Sequence, residues 1–300
     1  MNAEYDSSAA AQAIGVLMHE TLEGGNQEDV MHLSDVQTAA YSACAVEEPR
    51  SYRLTRRNST DFFEAIFRVR GVMCQNNLPP VLEIRSGVPG HRLRQSVTLS
   101  ALSNHIVFEK YLGAMREFHD LFKVTFPGEQ FTMDCFYTYE GHRCIVLFNR
   151  YLSFRSDTPS TMQIPFDPQV DPAGLLRQHP HQNMHHVEDN RVSYSRREIH
   201  AGRESLKRIS PTCFRNGDLI EVHFTFVAFP MKKGEPRRIG CVMHHLILLS
   251  DRLRKESEGV IMPLGMHPVI IRTLKRKQAI VESDPEAEGK DGGSDKHMRL

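Results

Sequence analysis

Three groups of residues have types and spacings that do chemistry. The first is Glu221 with His223, followed further along by the dipeptide His244-His245. Residues two apart on an extended strand share a face. A hairpin pivoting near Gly234 sets His223 opposite His244 or His245, and the second register gathers His223, His245 and Glu221. Two imidazoles and a carboxylate suit zinc or nickel, so one reading is a metal-binding protein or a metal-dependent enzyme. The plainer reading is a polar outer face whose histidines stack and hydrogen-bond.

The second group is "HPHQNMHHVED", with His179, His181, His185, His186, Glu188 and Asp189. His181 and His185 have a spacing that ligates metal from one helix face. Pro180 and the polar neighbours place them in a loop instead, which supplies no shell to orient ligands. The expectation is an exposed histidine-rich loop that takes nickel adventitiously. The third group is "MKKGEPRR", where Lys232, Lys233, Arg237 and Arg238 sit at a hairpin tip. A basic tip follows a phosphate backbone, or it protects a sheet edge. Arg196, Arg197, Arg203, Lys207, Arg208, Arg272, Lys275, Arg276 and Lys277 make this half locally basic. The 37 basic side chains equal the 37 acidic ones, so attraction to a partner must come from such a patch and not from a global field.

Other chemistry is sparse. The six cysteines (Cys44, Cys74, Cys135, Cys144, Cys213, Cys241) are scattered without a CxxC, which fits free thiols in a reducing compartment. Cys135 and Cys144 approach across an expected hairpin and read as small core residues. Gly87 and Gly90 do not form a phosphate-binding spacing, and no GxSxG, HExxH or kinase set occurs. The first twenty residues start acidic and lack a long apolar stretch, so no secretory leader is expected. No apolar run has the length of a membrane span. Cytoplasm or nucleus is the expected location, with no membrane partner.

The positioning elements fall into five segments. Residues 1–50 read as loosely ordered and helical, with a helix from Ser34 to about Glu48 that Pro49 stops. Residues 51–155 read as an α+β domain. In it, "NSTDFFEAIFRVRGVM" predicts a helix capped at Ser59 or Thr60, and "PVLEIRS" a short strand, Pro80–Ser86. "SALSNHIVFEKYLGAMREFHDLFKVTF" predicts the strongest helix, with Leu102, Ile106, Tyr111, Leu112, Met115, Phe118, Leu121 and Phe122 as its apolar face. A hairpin then turns at Glu140-Gly141-His142. Residues 156–190 read as a Pro/His-rich loop or linker. Residues 191–278 predict an antiparallel β-domain. Within it Ile220, Val222, Phe224, Phe226 and Ala228 face the core, and Leu219, Glu221, His223, Thr225, Val227 and Phe229 form a mixed, partly buried opposite face. "HPVIIRTLKR" predicts a further strand, and residues 279–300 a disordered tail.

Two stretches carry a resemblance. "HVEDNRVSY" and "ISPTCFRNGDLIEVHFTFVAF" resemble a set of uncharacterised proteins of mushroom-forming fungi, with Glu188, Asp189, Asn190, Val192 and Tyr194, then Pro211, Phe214, Gly217, Asp218, Glu221 and Val222. The resemblance covers roughly residues 175–250 and implies no activity, cofactor or catalytic residue. Ile220 stands where the set has valine, which leaves the fold untouched. "FRNGDLIEV" entering a bent sheet also occurs in SH3-like barrels, a likeness of fold alone.

The expected fold is therefore α+β: a mainly helical N-terminal half with a β-hairpin, and a C-terminal antiparallel domain curling into a small SH3-like barrel. The leading functional expectation is a non-enzymatic module that binds protein or nucleic acid through that domain, with no cofactor. Lys232, Lys233, Arg237 and Arg238 are its expected contacts. The alternative is zinc or nickel held by His223, His245 and Glu221.

Overall fold

The computed structural model describes residues 1, 3–19, 30–58, 61–158, 163–179, 183–200, 203–229 and 234–259. The chain divides into units 1–262 and 263–300, and the described residues all lie in the first. The expected strand in "HPVIIRTLKR" and the expected tail fall outside the described residues, as do Lys232, Lys233 and His181.

Fifteen strands are described: β1 (Val30–His32), β2 (Tyr41–Val46), β3 (Ser51–Asn58), β4 (Asp61–Glu64), β5 (Ile66–Asn77), β6 (Arg94–Ser100), β7 (Phe131–Met133), β8 (Phe136–Tyr139), β9 (His142–Arg150), β10 (Ser153–Phe154), β11 (Met184–His185), β12 (Ser193–His200), β13 (Arg203–Arg208), β14 (Leu219–Phe229) and β15 (Arg237–Ser250). Four α-helices accompany them among the described residues: α1 (Ser7–His19), α2 (His105–Thr125), α3 (Leu175–Gln178) and α4 (Arg252–Ser257). None of these helices is long and apolar enough to cross a membrane.

The molecule is thus mainly β, which corrects the expected helical N-terminal half. The segment 34–48 holds β2 in place of a helix, and residues 61–77 form β4 and β5. Phe62, Phe63, Ile66 and Phe67 sit at helix-like intervals, but Phe67-Arg68-Val69-Arg70 alternates, and β5 follows that period of two. Phe67 and Val69 point to the core, while Phe62 and Phe63 are exposed. The expected strand Pro80–Ser86 is irregular chain. Helix α2 forms as expected, although Ile106 of its expected apolar face is exposed. Asn104 caps it by accepting from Val107 N, and Phe108, Tyr111, Met115, Phe118 and Phe122 are its buried stripe.

Five strands close a ring. β5 pairs β6, β6 pairs β9, β15 pairs β14 and β14 pairs β5, all antiparallel. β9 meets β15 in parallel through two residue pairs, Leu147 with Cys241 and Phe148 with Val242. Counted in chain order, the ring runs 1-2-3-5-4-1 with strands 3 and 5 parallel. This is the connectivity of an OB-type Greek-key barrel. It replaces the expected SH3-like barrel, because three of its strands come from before residue 155 and two from after 190. The inward residues are those the 219–229 alternation marks: Ile220, Val222, Phe224 and Phe226, joined by Phe67, Val69, Leu99, Leu147 and Met243. Phe118 of α2 covers them, with ring centroids 4.9 Å from Phe67 and 5.3 Å from Phe226. Gly71 lets β5 approach β6 closely: a Cβ there would lie 2.6 Å from the Leu99 side chain and 2.7 Å from Ser100 O.

The 151–218 segment between β9 and β14 is no plain linker. It supplies β10, β11, α3 and the β12–β13 hairpin, and buries Tyr151, Leu152, Leu176 and Met184 in a second small core.

Candidate nucleic-acid interface

On the outer face of the ring, β9 alternates outward at Phe148 and Arg150, and β6 at Arg94 and Ser96. Arg94 is paired with Arg150, and Ser96 with Phe148. Phe229 ends β14 beside them. The rings of Phe148 and Phe229 lie 6.2 Å apart at 34°. They meet over Gly240 of β15, where a Cβ would come within 2.8 Å of the Phe148 ring and 3.4 Å of Phe229. The Arg94 guanidinium lies 5.2 Å from the centre of Phe148, and that of Arg150 lies 4.1 Å from Phe229. Neither arginine makes an ion pair among the described residues. Burial lowers the Arg150 pKa, and the like charges of Arg94 and Arg238 add to that against the pull of Asp157. Excess positive charge on a half-buried aromatic surface is an anion-seeking arrangement.

The cleft continues past Asn149, Val227 and Val242 to Arg53 and His244. Arg53 is held by Glu64 at 2.6 Å and by Asp189. His244 is the extra residue of a β-bulge, between the pairs His223–His245 and Phe224–Met243. Its Nε2 is buried without a partner among the described residues.

Arg237 and Arg238 lie near this surface but are engaged. Arg237 donates to Glu129 at 2.6 Å and covers the Tyr52 ring at 4.6 Å. Arg238 pairs Asp134 at 3.2 Å in an exposed bridge. Phe229 leads directly into the loop that carries Lys232 and Lys233.

The histidine pair of the hairpin forms as the second register requires. His223 is opposite His245, with ring centroids 5.4 Å apart, and His223 Nε2 lies 2.7 Å from Glu221 Oε1. Yet Glu221 is buried beyond what the partly buried face expected for it implies. It is fully buried, and its other oxygen accepts from Arg70 Nε at 2.6 Å. Arg70 also donates to Leu17 O of α1, which helps cover this side of the sheet. Burial alone would raise the Glu221 pKa, but the His223 hydrogen bond and the charges of His223 and Arg70 hold it at about 2. His245 is lowered to about 4 by burial and by His223, and its Nε2 lies 2.9 Å from Ser195 Oγ. Among the described residues no three His, Cys, Asp or Glu side chains are placed to hold a metal ion.

The second histidine group is also more buried than its sequence suggests. His185 contacts Thr158, and His186 stacks on Phe166 at 4.1 Å. Alternation in 219–229 puts Phe229 on the face opposite the core, whereas Arg94, Phe148 and Arg150 escaped the sequence reading. The signal available was the Phe-x-Arg step inside a strand whose alternate residues are core.

No family model matches the chain, and no curated protein matches it. One solved structure with some likeness is the single-stranded DNA binding protein gp2.5 encoded by bacteriophage T7, at 10% identity and a TM-score of 0.30, covering 62% of this chain and 92% of that one. At that score the likeness assigns neither fold nor function.

Proposed function

We propose that this protein binds single-stranded nucleic acid across the outer face of its barrel. The carrying observation is the pair of outward rings, Phe148 and Phe229, each with an arginine over its face. Single-strand binders combine stacking platforms with a basic groove, because every base has a π-face and every nucleotide a phosphate. Here Phe148 and Phe229 are the platforms, and Arg94 and Arg150 exchange ring for base and phosphate. Arg238, exposed at the start of β15, adds a further positive charge, and Lys232 and Lys233 precede it in the sequence. OB barrels bind oligonucleotides on the corresponding strands and loop, which is support by analogy only. The ordinary reading of the rings, solvated cation–π pairs, leaves the unpaired charge of Arg94 and Arg150 without a use.

The test is fluorescence anisotropy of a labelled thymidine oligomer of about twenty nucleotides with the full chain, at low and moderate salt. Binding that weakens steeply with salt and is lost in Phe148→Ala/Phe229→Ala supports the proposal. No binding at low salt, or equal binding by the double variant, overturns it.

A further inference from the structure

A second cavity of about 260 Å³ lies on the other side of Asn190, between the end of the barrel and the 151–218 segment. Asn190 lines both it and the Phe148 cleft. Two buried polar groups on its wall are only half used. Gln95 is 2% exposed, and its Oε1 accepts from Tyr194 OH, which leaves the amide NH₂ without a partner among the described residues. His186 is 6% exposed, and its Nδ1 lies 2.8 Å from Tyr151 O. A carbonyl only accepts, so Nδ1 carries the proton and Nε2 is an acceptor left to the cavity. Both residues line the cavity, where water or a ligand can supply the remaining bonds.

We infer that this cavity is a pocket for a single nucleobase. Gln95 supplies a donor and His186 an acceptor, the combination that the edge of a heterocyclic base answers. Tyr151 and Tyr194 give aromatic walls. The volume is just below the range of about 300–1,000 Å³ that drug-sized ligands need, which suits one heterocycle. Burial lowers the pKa of both His186 and His245, so near neutral pH the imidazoles offer no cation to a phosphate. Arg208 is neutralised by Asp167. The base comes either from a free nucleoside or from a bound strand, and only the second source rests on the strand-binding proposal.

The test titrates the ¹⁵N-labelled full chain with adenosine, inosine, cytidine and uridine, and separately with the thymidine oligomer, following the Gln95 side-chain amide signals. Ser193→Trp fills the mouth from an exposed strand position without touching a buried hydrogen bond. Gln95→Leu removes the donor, with thermal melting as the folding control. At least one nucleoside is expected to shift the Gln95 signals, with affinity about tenfold weaker in Ser193→Trp. Phe148→Ala should leave nucleoside binding unchanged, which separates this pocket from the outer face. Oligomer binding that spares the Gln95 signals, alongside a nucleoside that moves them, assigns the free source. No shift with any nucleoside up to about 10 mM overturns the inference, as does unchanged affinity in Ser193→Trp.

Discussion

Arg70 and Glu221 are both fully buried, and each depends on the other to remain charged out of water. Removing one charge strands its partner, so Glu221→Gln should cost about 3–5 kcal/mol in urea unfolding, while a paired Arg70→Met/Glu221→Leu replacement should recover much of it. The histidines give a pH dependence whose sign follows from linkage. His245 and His32 are both lowered to about 4, by burial first, so between pH 6.5 and 4 the unfolded chain binds protons that the folded chain refuses. Stability from these groups is therefore complete above about pH 6.5 and is lost as pH falls toward 4. From pH 6.5 to 5 the loss is about 2 kcal/mol per histidine, and His245→Gln should flatten the slope in unfolding midpoints measured across that window. Glu221, held near 2, adds its own loss as pH falls from about 4.5 toward 2. The register that brings His223 to His245 was legible from the spacing around Gly234. The burial of Glu221 was not, because its partner lies in β5, a strand far away in sequence.

At the scale of elements, β15 carries the most connections. Along one edge it pairs β14 throughout, and along the other it meets β7, β9 and β12 in turn. Gly240 lies at the point where that strand passes under Phe148. Gly240→Ala should push the ring aside, since the clashing atoms are the far end of a side chain. Stability should fall by only about 1 kcal/mol, while oligomer affinity should fall by about 1–3 kcal/mol as a stacking platform is lost. Gly71→Ala meets backbone as well as Leu99 and has no such escape, so it should destabilise by about 3 kcal/mol in the same melts. Arg94→Ala/Arg150→Ala should reduce the slope of log affinity against log salt by about 1.4, two phosphate contacts' worth on a single strand. Strands β14 and β15 and helix α2 were legible because each repeats its period over many residues. β5 was misread because four bulky apolar residues near its start imitate a helix face and two of them, Phe62 and Phe63, belong to another strand.

At the scale of the whole molecule, the barrel belongs to neither half of the chain. A fragment of residues 191–300 holds β14 and β15 without the three strands that complete the ring, and should lack dispersed amide signals when expressed alone. Local patterns report which residues alternate, but not which distant strand they pair with, so the division near residue 155 followed composition while the pairing crossed it. The parallel seam between Leu147–Phe148 and Cys241–Val242 extends this point to synthesis. A nascent chain has made β5, β6 and β9 long before β15 leaves the ribosome, and through that interval the edge of β9 beyond the His142–Ile145 stretch that β8 pairs has no permanent neighbour. Folding has to wait for the last described strand, so a pause or truncation late in translation exposes the same open edge as an early one. Closure over so long a loop also makes this a slow folder for its size.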